Sequence, residues 1–544
     1  MTATAGTSTR NGGGAPGAPP GAVRIAAIDI GSNSIRQIVA DVTPTGDIRV
    51  VDEMKAAPRL GAGVEDTGTL SDASIGAAME ALLHMHTLAG QLGASRIVAV
   101  ATSAVRDARN GDAFLRQVKE QTGLDVRLVD GEEEARLSFR SALAHFDLGA
   151  GRTAVMDIGG GSLELALSAD GLVEHLISLP FGAVRLTERH LVGESTERGV
   201  KRLRKAVRAK LKDALPGRDW RGAQVIGSGG TFTNLGGIHL ARQGVATAHS
   251  VHGTCVTRVE LERILDAMVS MTADERREVP GLTPARADII VAGLAVAAEV
   301  LKRIDASELH VSGYGIREGL LLETARVTPT VADPGEARER SVRAFAERCH
   351  FEAPHAERVQ KLSLQIFDAI GRRLGCVAAD RAVLSDAALL HDVGYHINYN
   401  KHHKHSYHLI LHAELLGMSP EEQVAVANVA RYHRGARPKK SHGNYGVLDR
   451  ALRRRIERLA AILRVADGFD RGHAGGVTRV KARWTEEALE LHAVPDKRAT
   501  TIRLELWGAS RKSDLLARVA GLPVRIVAPG GDVVDVQADD GRVD

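Results

Sequence analysis

The chain has 544 residues, too many for one hydrophobic core, and length alone predicts roughly three or four domains. Charged residues make up 25%, and 71 Lys and Arg against 67 Asp and Glu leave a net charge of +4, too mild to mark a nucleic-acid binder. Three cysteines, Cys255, Cys349 and Cys376, form no CxxC pair, which argues against a disulfide framework or zinc ribbon and for a cytoplasmic location. With no apolar run long enough for a bilayer, no membrane partner is expected.

Residues 1–22 are mostly small and polar and read as a disordered tail. A strand begins at Val23, breaks at Gly31-Ser32-Asn33-Ser34 and resumes at Ile35, the pattern of a hairpin. Helical periodicity runs from about Ser71 to Leu92, followed by an apolar strand at Ile97–Ala101. The hairpin pattern recurs from Thr153 through Asp157-Ile158-Gly159-Gly160-Gly161-Ser162 to Leu167. The two Asp-Ile-Gly elements lie about one domain length apart and predict a duplicated α/β domain. A third glycine turn, Ile226-Gly227-Ser228-Gly229-Gly230-Thr231, runs into a helix, and a fourth, Val311–Gly315, precedes one from about Ile316 to Thr324. The domains expected are 23–150, 151–327, a histidine-rich helical domain over 336–475 and a small α/β domain over 476–530, with a tail over 531–544. In the last domain, Thr501–Leu506 alternates as a strand would, and Lys512 to about Val519 is its helical stretch.

A glycine- and serine-rich turn at a strand end exposes amides and hydroxyls that bind phosphate. Here two such turns each open with an aspartate, Asp29 and Asp157, in matching positions of a repeat. Facing carboxylates repel phosphate themselves but can hold a divalent cation that neutralises it.

These residues carry a family resemblance. Asp29–Ser34, Gly131-Glu132-Glu133-Glu134-Ala135-Arg136, Asp157–Glu164, Gly227–Thr231 and Ser312–Gly319 resemble the motifs of the exopolyphosphatase and guanosine pentaphosphate phosphatase family. The match is strong over about 23–326 and continues through Leu390–Gly394 and Arg431–Arg434. The resemblance implies two RNase H-like, actin-like lobes with the active site between them. It also implies Mg²⁺-dependent hydrolysis of a terminal phosphoanhydride of polyphosphate or a guanosine polyphosphate, and a homodimer. It assigns Glu134 as general base, where the residues alone suggest only an acidic helix start. It assigns Arg106 to substrate phosphate. Asp29, Asp157 and Glu164 are candidate Mg²⁺ residues. Phosphate grip is expected from Gly31, Ser32, Asn33, Ser34, Gly159, Gly160, Gly161, Ser162, Gly229, Gly230 and Thr231.

In the helical domain His355, His391-Asp392 and Asp467 resemble the HD-domain metal pattern and imply a second divalent metal. His405 and His433 are candidates for further ligands. Basic runs at Lys201–Lys210, Arg437–Lys440 and Arg453–Arg455 are either solvated faces or a track for a polyanion, and Lys401–His405 is the stretch placed nearest such a track. Two alternatives stay open: a nucleotide phosphohydrolase acting through the histidine-rich centre, and a non-catalytic sensor that binds an alarmone nucleotide.

Overall fold

The computed structural model describes residue 19 and residues 21–533, except 149–150, 192, 194, 216–218, 246–249, 328–333, 414 and 416. The tails expected over 1–22 and 531–544 lie almost wholly outside the described residues, as does most of the Pro-containing stretch near 328–335. Contacts divide the chain into two units, residues 1–236 with 255–332, and residues 237–254 with 333–544.

The first unit holds two sheets of the same design. Strands β1 (Val23–Ile30), β2 (Ile35–Val42), β3 (Ile48–Ala56), β4 (Arg96–Ala101) and β5 (Val126–Leu128) lie in the order β3-β2-β1-β4-β5. The first three pair antiparallel; β4 and β5 run parallel to β1. The second sheet contains β6 (Arg152–Ile158), β7 (Leu163–Ala169), β8 (Leu172–Leu179), β9 (Gln224–Ser228), β10 (Cys255–Thr257) and β11 (Glu308–Val311). Its order β8-β7-β6-β9-β11 repeats the first, with β10 added at the edge. These are the two RNase H-like lobes expected.

The central strands explain the packing. Ile25 to Ile28 of β1 are all buried, as suits a strand covered on both faces. One face meets the helix Asp72–Gln91, whose N-cap Ser71 accepts the Ser74 N–H at 3.2 Å, a cap worth about 1 kcal/mol. The other face meets Leu320, Leu321 and Leu322 of the helix Ile316–Thr324. The helix Gly131–His145, by contrast, packs Phe139 and Ala142 against Val155, Ala166 and Ile226 of the second sheet. The helix Gly131–His145 thus precedes residue 150 in sequence yet packs on the second sheet. Each lobe's sheet is covered in part by a helix from the other half of the sequence, because the apolar faces of these helices match those sheets.

In the second unit, helices and a three-stranded sheet share one core. Strands β12 (Val477–Trp484), β13 (Leu489–Pro495) and β14 (Val524–Val527) lie in that order. Val477, Val480, Leu489 and Leu491 pack in one cluster with Val359, Ile366, Leu459 and Ile462. The expected division at 475/476 thus separates nothing in the core. Thr501–Leu506 is not a strand: Arg503–Arg511 is a helix that buries Leu506 and Ala509, followed by the helix Asp514–Ala520. The short apolar alternation is equally compatible with one helical turn, and tertiary packing decides it.

Candidate active site

The two hairpin turns of the first unit have the same closure. Gly31 N–H donates to the Ser34 carbonyl at 3.2 Å, and Gly159 N–H to the Ser162 carbonyl at 3.0 Å. Among the described residues, the amides of Ser32, Asn33, Gly160 and Gly161 have no backbone acceptor. The turns approach each other so closely that a Cβ on Gly160 would lie 2.8 Å from Ser32 Cβ. Ser32 Oγ also shares a hydrogen bond of 2.9 Å with Ser103 Oγ. Between the turns opens a polar cleft lined by residues of both.

Asp29 and Asp157 stand at the strand ends and line the cleft. Asp157 Oδ2 accepts from Ser228 Oγ at 2.7 Å and Ser138 Oγ at 3.1 Å. The Asp29 Oδ1 atom is buried without a hydrogen-bond partner. Burial raises the Asp29 carboxyl to about 6 against the pull of Arg317 and Arg36, and burial raises Asp157 as well. The third turn fits closely: Gly229 has φ +86° and a Cβ there would sit 2.5 Å from Asp157 Oδ1, so both conformation and space require glycine.

Glu134 enters from the first turn of the helix Gly131–His145, whose start is fixed by Asp130 accepting the Glu133 N–H at 2.8 Å. It is buried, lines the cleft, and accepts from Arg106 Nη1 at 2.6 Å. Arg106 Nη1 also donates to the Val129 carbonyl at 2.7 Å. Burial pushes the Glu134 carboxyl up to about 7; the Arg106 hydrogen bond opposes this, while Asp29 and Asp157 add to it. Glu164, across the pocket, accepts from Ser178 Oγ at 3.0 Å and is held well above the carboxylate range by burial and then by Glu134. An acid titrating near neutrality beside a phosphate cradle can take a proton from water.

The cleft brings together most of the residues expected from sequence, with three exceptions. Arg106 is not in the wall; its Nη1 donates to both Glu134 and the Val129 carbonyl. Gly161 also lies outside the wall, beside Ser103. Thr231 is buried against Gly293, and Thr233 lines the cleft in its place. Sequence reasoning missed the cations that are in the wall: Arg36, Arg286 and Arg317. Burial, then Arg36, lowers Arg286 to about 10. Arg317 is anchored 3.2 Å from Glu53. Arg36 stands opposite Asp29 in the hairpin pairing, a place strand periodicity alone could have indicated.

A family model described as Ppx/GppA phosphatase matches residues 38–327, and one described as Ppx/GppA phosphatase, domain III, matches residues 337–507. The chain belongs to the Ppx/GppA phosphatase family. Among Ppx/GppA relatives, the guanosine-5'-triphosphate,3'-diphosphate pyrophosphatase of Pseudoalteromonas atlantica is 28% identical over 425 residues, covering 75% of this chain and 79% of its own. An exopolyphosphatase from Cytophaga hutchinsonii aligns with TM-score 0.52 and 26% identity over 57% of this chain and 100% of its own. A solved exopolyphosphatase-like protein aligns with TM-score 0.53 and 28% identity over 56% of this chain and 98% of its own.

The second unit gathers the remaining residues singled out in the sequence. His355 Nε2 lies 3.7 Å from both Asp392 Oδ2 and Asp467 Oδ1, and His391 Nε2 lies 3.4 Å and 4.0 Å from the same atoms. His433 joins them, 3.5 Å from Asp392 Oδ1. His405 does not; its place is taken by His402, 3.1 Å from Asp392 Oδ1. The turn of helix that buries His402 carries His405 to a half-exposed face. Among the basic runs, Arg204 and Arg208 turn inward to Glu299, at 2.6 and 2.8 Å, so Lys201–Lys210 is not a continuous cationic track. Among the described residues no helix is long and apolar enough to cross a membrane.

Proposed function

We propose that the cleft hydrolyses the terminal phosphoanhydride of inorganic polyphosphate or of guanosine pentaphosphate and releases orthophosphate. The observation that carries this is Glu134, a buried acid poised near neutrality on the wall shared by two phosphate-type turns. In the reaction, Glu134 takes a proton from water as its oxygen bonds to the terminal phosphorus. The anhydride P–O bond breaks, and the shortened chain departs with the bridging oxygen. The amides of the two turns receive the oxygens of the terminal phosphoryl group, a preorganised grip on developing charge. Arg36, Arg286 and Arg317 supply positive charge to the same wall. Arg106 is a positioning residue that aims Glu134 and holds part of its population ionised.

Mg²⁺ is part of the proposal. The donors fit a hard cation: Asp29 Oδ1 is buried and unpartnered, and the nearby groups are oxygens. Asp29 and Asp157 would hold the ion, which would offset phosphate charge. The family resemblance adds a homodimer, which light scattering measures directly.

Phosphate release from polyphosphate and from guanosine pentaphosphate, each with and without Mg²⁺, tests the reading. Release that needs Mg²⁺ and disappears in Glu134→Gln supports it. Tight binding of either compound without release would replace it with the sensor reading.

A further inference from the structure

The edge of the second sheet carries side chains that the cleft does not use. Strand β10 pairs antiparallel with β11, with Cys255 opposite His310 and Thr257 opposite Glu308. Val256 and Leu309 are buried on the inner face, so alternation puts Cys255, His310 and Glu308 together on the outer face. Directly opposed residues have Cβ atoms about 4.5–5.5 Å apart, and a long side chain reaches its diagonal neighbour. The short Cys255 thus meets the imidazole across from it, and Glu308 reaches the same spot from the next outward position. The Cys255 sulfur, a His310 ring nitrogen and a Glu308 carboxylate oxygen all lie within 4.8 Å of one another, and His310 Nε2 is 3.9 Å from Glu308 Oε1.

The backbone beneath these side chains is held from several directions. Arg258 N–H donates to the Ser307 carbonyl at 2.7 Å. Thr257 caps the helix Arg258–Val269, accepting the Glu260 N–H at 3.2 Å, and His310 pairs in parallel with Ile226 of β9. Cys255 is also the exposed cysteine, whereas Cys349 is buried and Cys376 half-buried. A cysteine that serves packing is normally buried as a small apolar side chain, so an exposed thiol facing an imidazole points to its chemistry instead.

We infer that Cys255, His310 and Glu308 bind one zinc-class divalent ion, with the fourth tetrahedral position open to water. Thiolate and imidazole donors select zinc over magnesium, and zinc accepts sulfur, nitrogen and oxygen together. Donors around a tetrahedral zinc ion lie about 3.3–3.6 Å apart, a spacing that these surface side chains reach by small rotations. Burial and then the Glu308 charge push the Cys255 thiol up to about 12, so an ion that takes the sulfur sends its proton to water. Residue 255 is where the chain returns to the first unit after residues 237–254; an ion there clasps the returning strand to β11. The site shares no residue with the phosphate cleft and does not depend on the reaction proposed for it.

Co²⁺ stands in for Zn²⁺ and reports a bound thiolate by sulfur-to-cobalt absorption in the near ultraviolet, which sites made only of histidine and carboxylate cannot produce. The full-length protein, treated with a chelator, desalted and kept reduced with a phosphine, is titrated with Co²⁺. Wild type is expected to develop this absorption, and Zn²⁺ to displace it. Cys255→Ser, nearly equal in size and at an exposed position, is expected to lose it, with circular dichroism reporting an unchanged fold. His310→Ala and Glu308→Gln are each expected to weaken Co²⁺ binding at least about tenfold, the loss that changing even an outer-shell group brings. Wild type without the absorption, absorption that persists in Cys255→Ser or that Zn²⁺ leaves in place, or binding indifferent to both His310→Ala and Glu308→Gln overturns the inference.

Discussion

Arg36 and Glu164 hold the same place in the two lobes: Arg36 pairs with Asp29 across the β1–β2 hairpin, and Glu164 with Asp157 across β6–β7. The repeat is thus symmetric in backbone and asymmetric in charge. One wall presents a half-buried guanidinium, and the other presents a carboxyl that burial and Glu134 keep from ionising. An anionic substrate is drawn to the first wall without repulsion from the second.

Arg36→Gln therefore weakens substrate binding more than chemistry. Loss of one charge-assisted contact is worth about 1.5–3 kcal/mol, or about 10- to 150-fold in KM for phosphate release. Equal loss in kcat with KM unmoved would place Arg36 in the transition state instead.

Glu134→Gln removes the proton acceptor, and kcat is expected to fall by about 10²–10⁴, with substrate binding retained in filter or calorimetric assays. Turnover within a few-fold of wild type would end the assignment of Glu134 as base.

The pH profile gives an independent check. A base must be ionised, so activity rises with pH and levels off above about 7, the value to which burial brings Glu134. Arg106 stabilises the ionised form, so its removal raises the value further. In Arg106→Gln the acid limb of kcat moves to higher pH, and part of the activity lost at neutrality returns in alkaline buffer. An unmoved limb would deny Arg106 its positioning role.

Gly229→Ala forces a side chain onto a residue with φ +86° and into Asp157 Oδ1. The backbone strain alone costs about 1–3 kcal/mol, read as a lower Tm. If Asp157 holds Mg²⁺ as proposed, its displacement shifts the Mg²⁺ titration of phosphate release to higher concentration.

Arg204→Ala tests the basic helix Glu197–Ala214. Glu299 is buried with Arg204 and Arg208 as its partners, and stripping a partner from a buried charge costs on the order of 3 kcal/mol. Tm falls, while the preference for polyphosphate chain length stays as in wild type. A changed preference at unchanged Tm would restore the track.

The glycine turns and the repeat were legible because each is a local signal: a strand, a break at fixed spacing and a second strand. Glu134 was legible only through its motif, since three acids at a helix start look alike until the fold buries one of them. Arg286 was not legible at all. It follows a proline in a short turn, Pro284–Arg286, and nothing nearby announces a cleft. Thr231 shows the converse error: a phosphate-type residue in the right turn, rotated into the core by the helix it begins. His402 lies three residues before His405, and only the position of helix His402–Leu411 against Asp392 distinguishes them.

The passage of the chain between its units has a practical outcome. Residues 237–254 belong with 333–544, so the chain crosses from one unit to the other at three points, not one. Leu240 and Val245 sit in the second unit's core; fully burying such side chains is worth about 1.5–3 kcal/mol each. Cutting the backbone at residue 332 would consequently leave two pieces still clasped by that segment, co-eluting on a sizing column until denaturant is added. Expressing residues 1–332 alone would leave Leu240 and Val245 in water, and the fragment would be prone to aggregate.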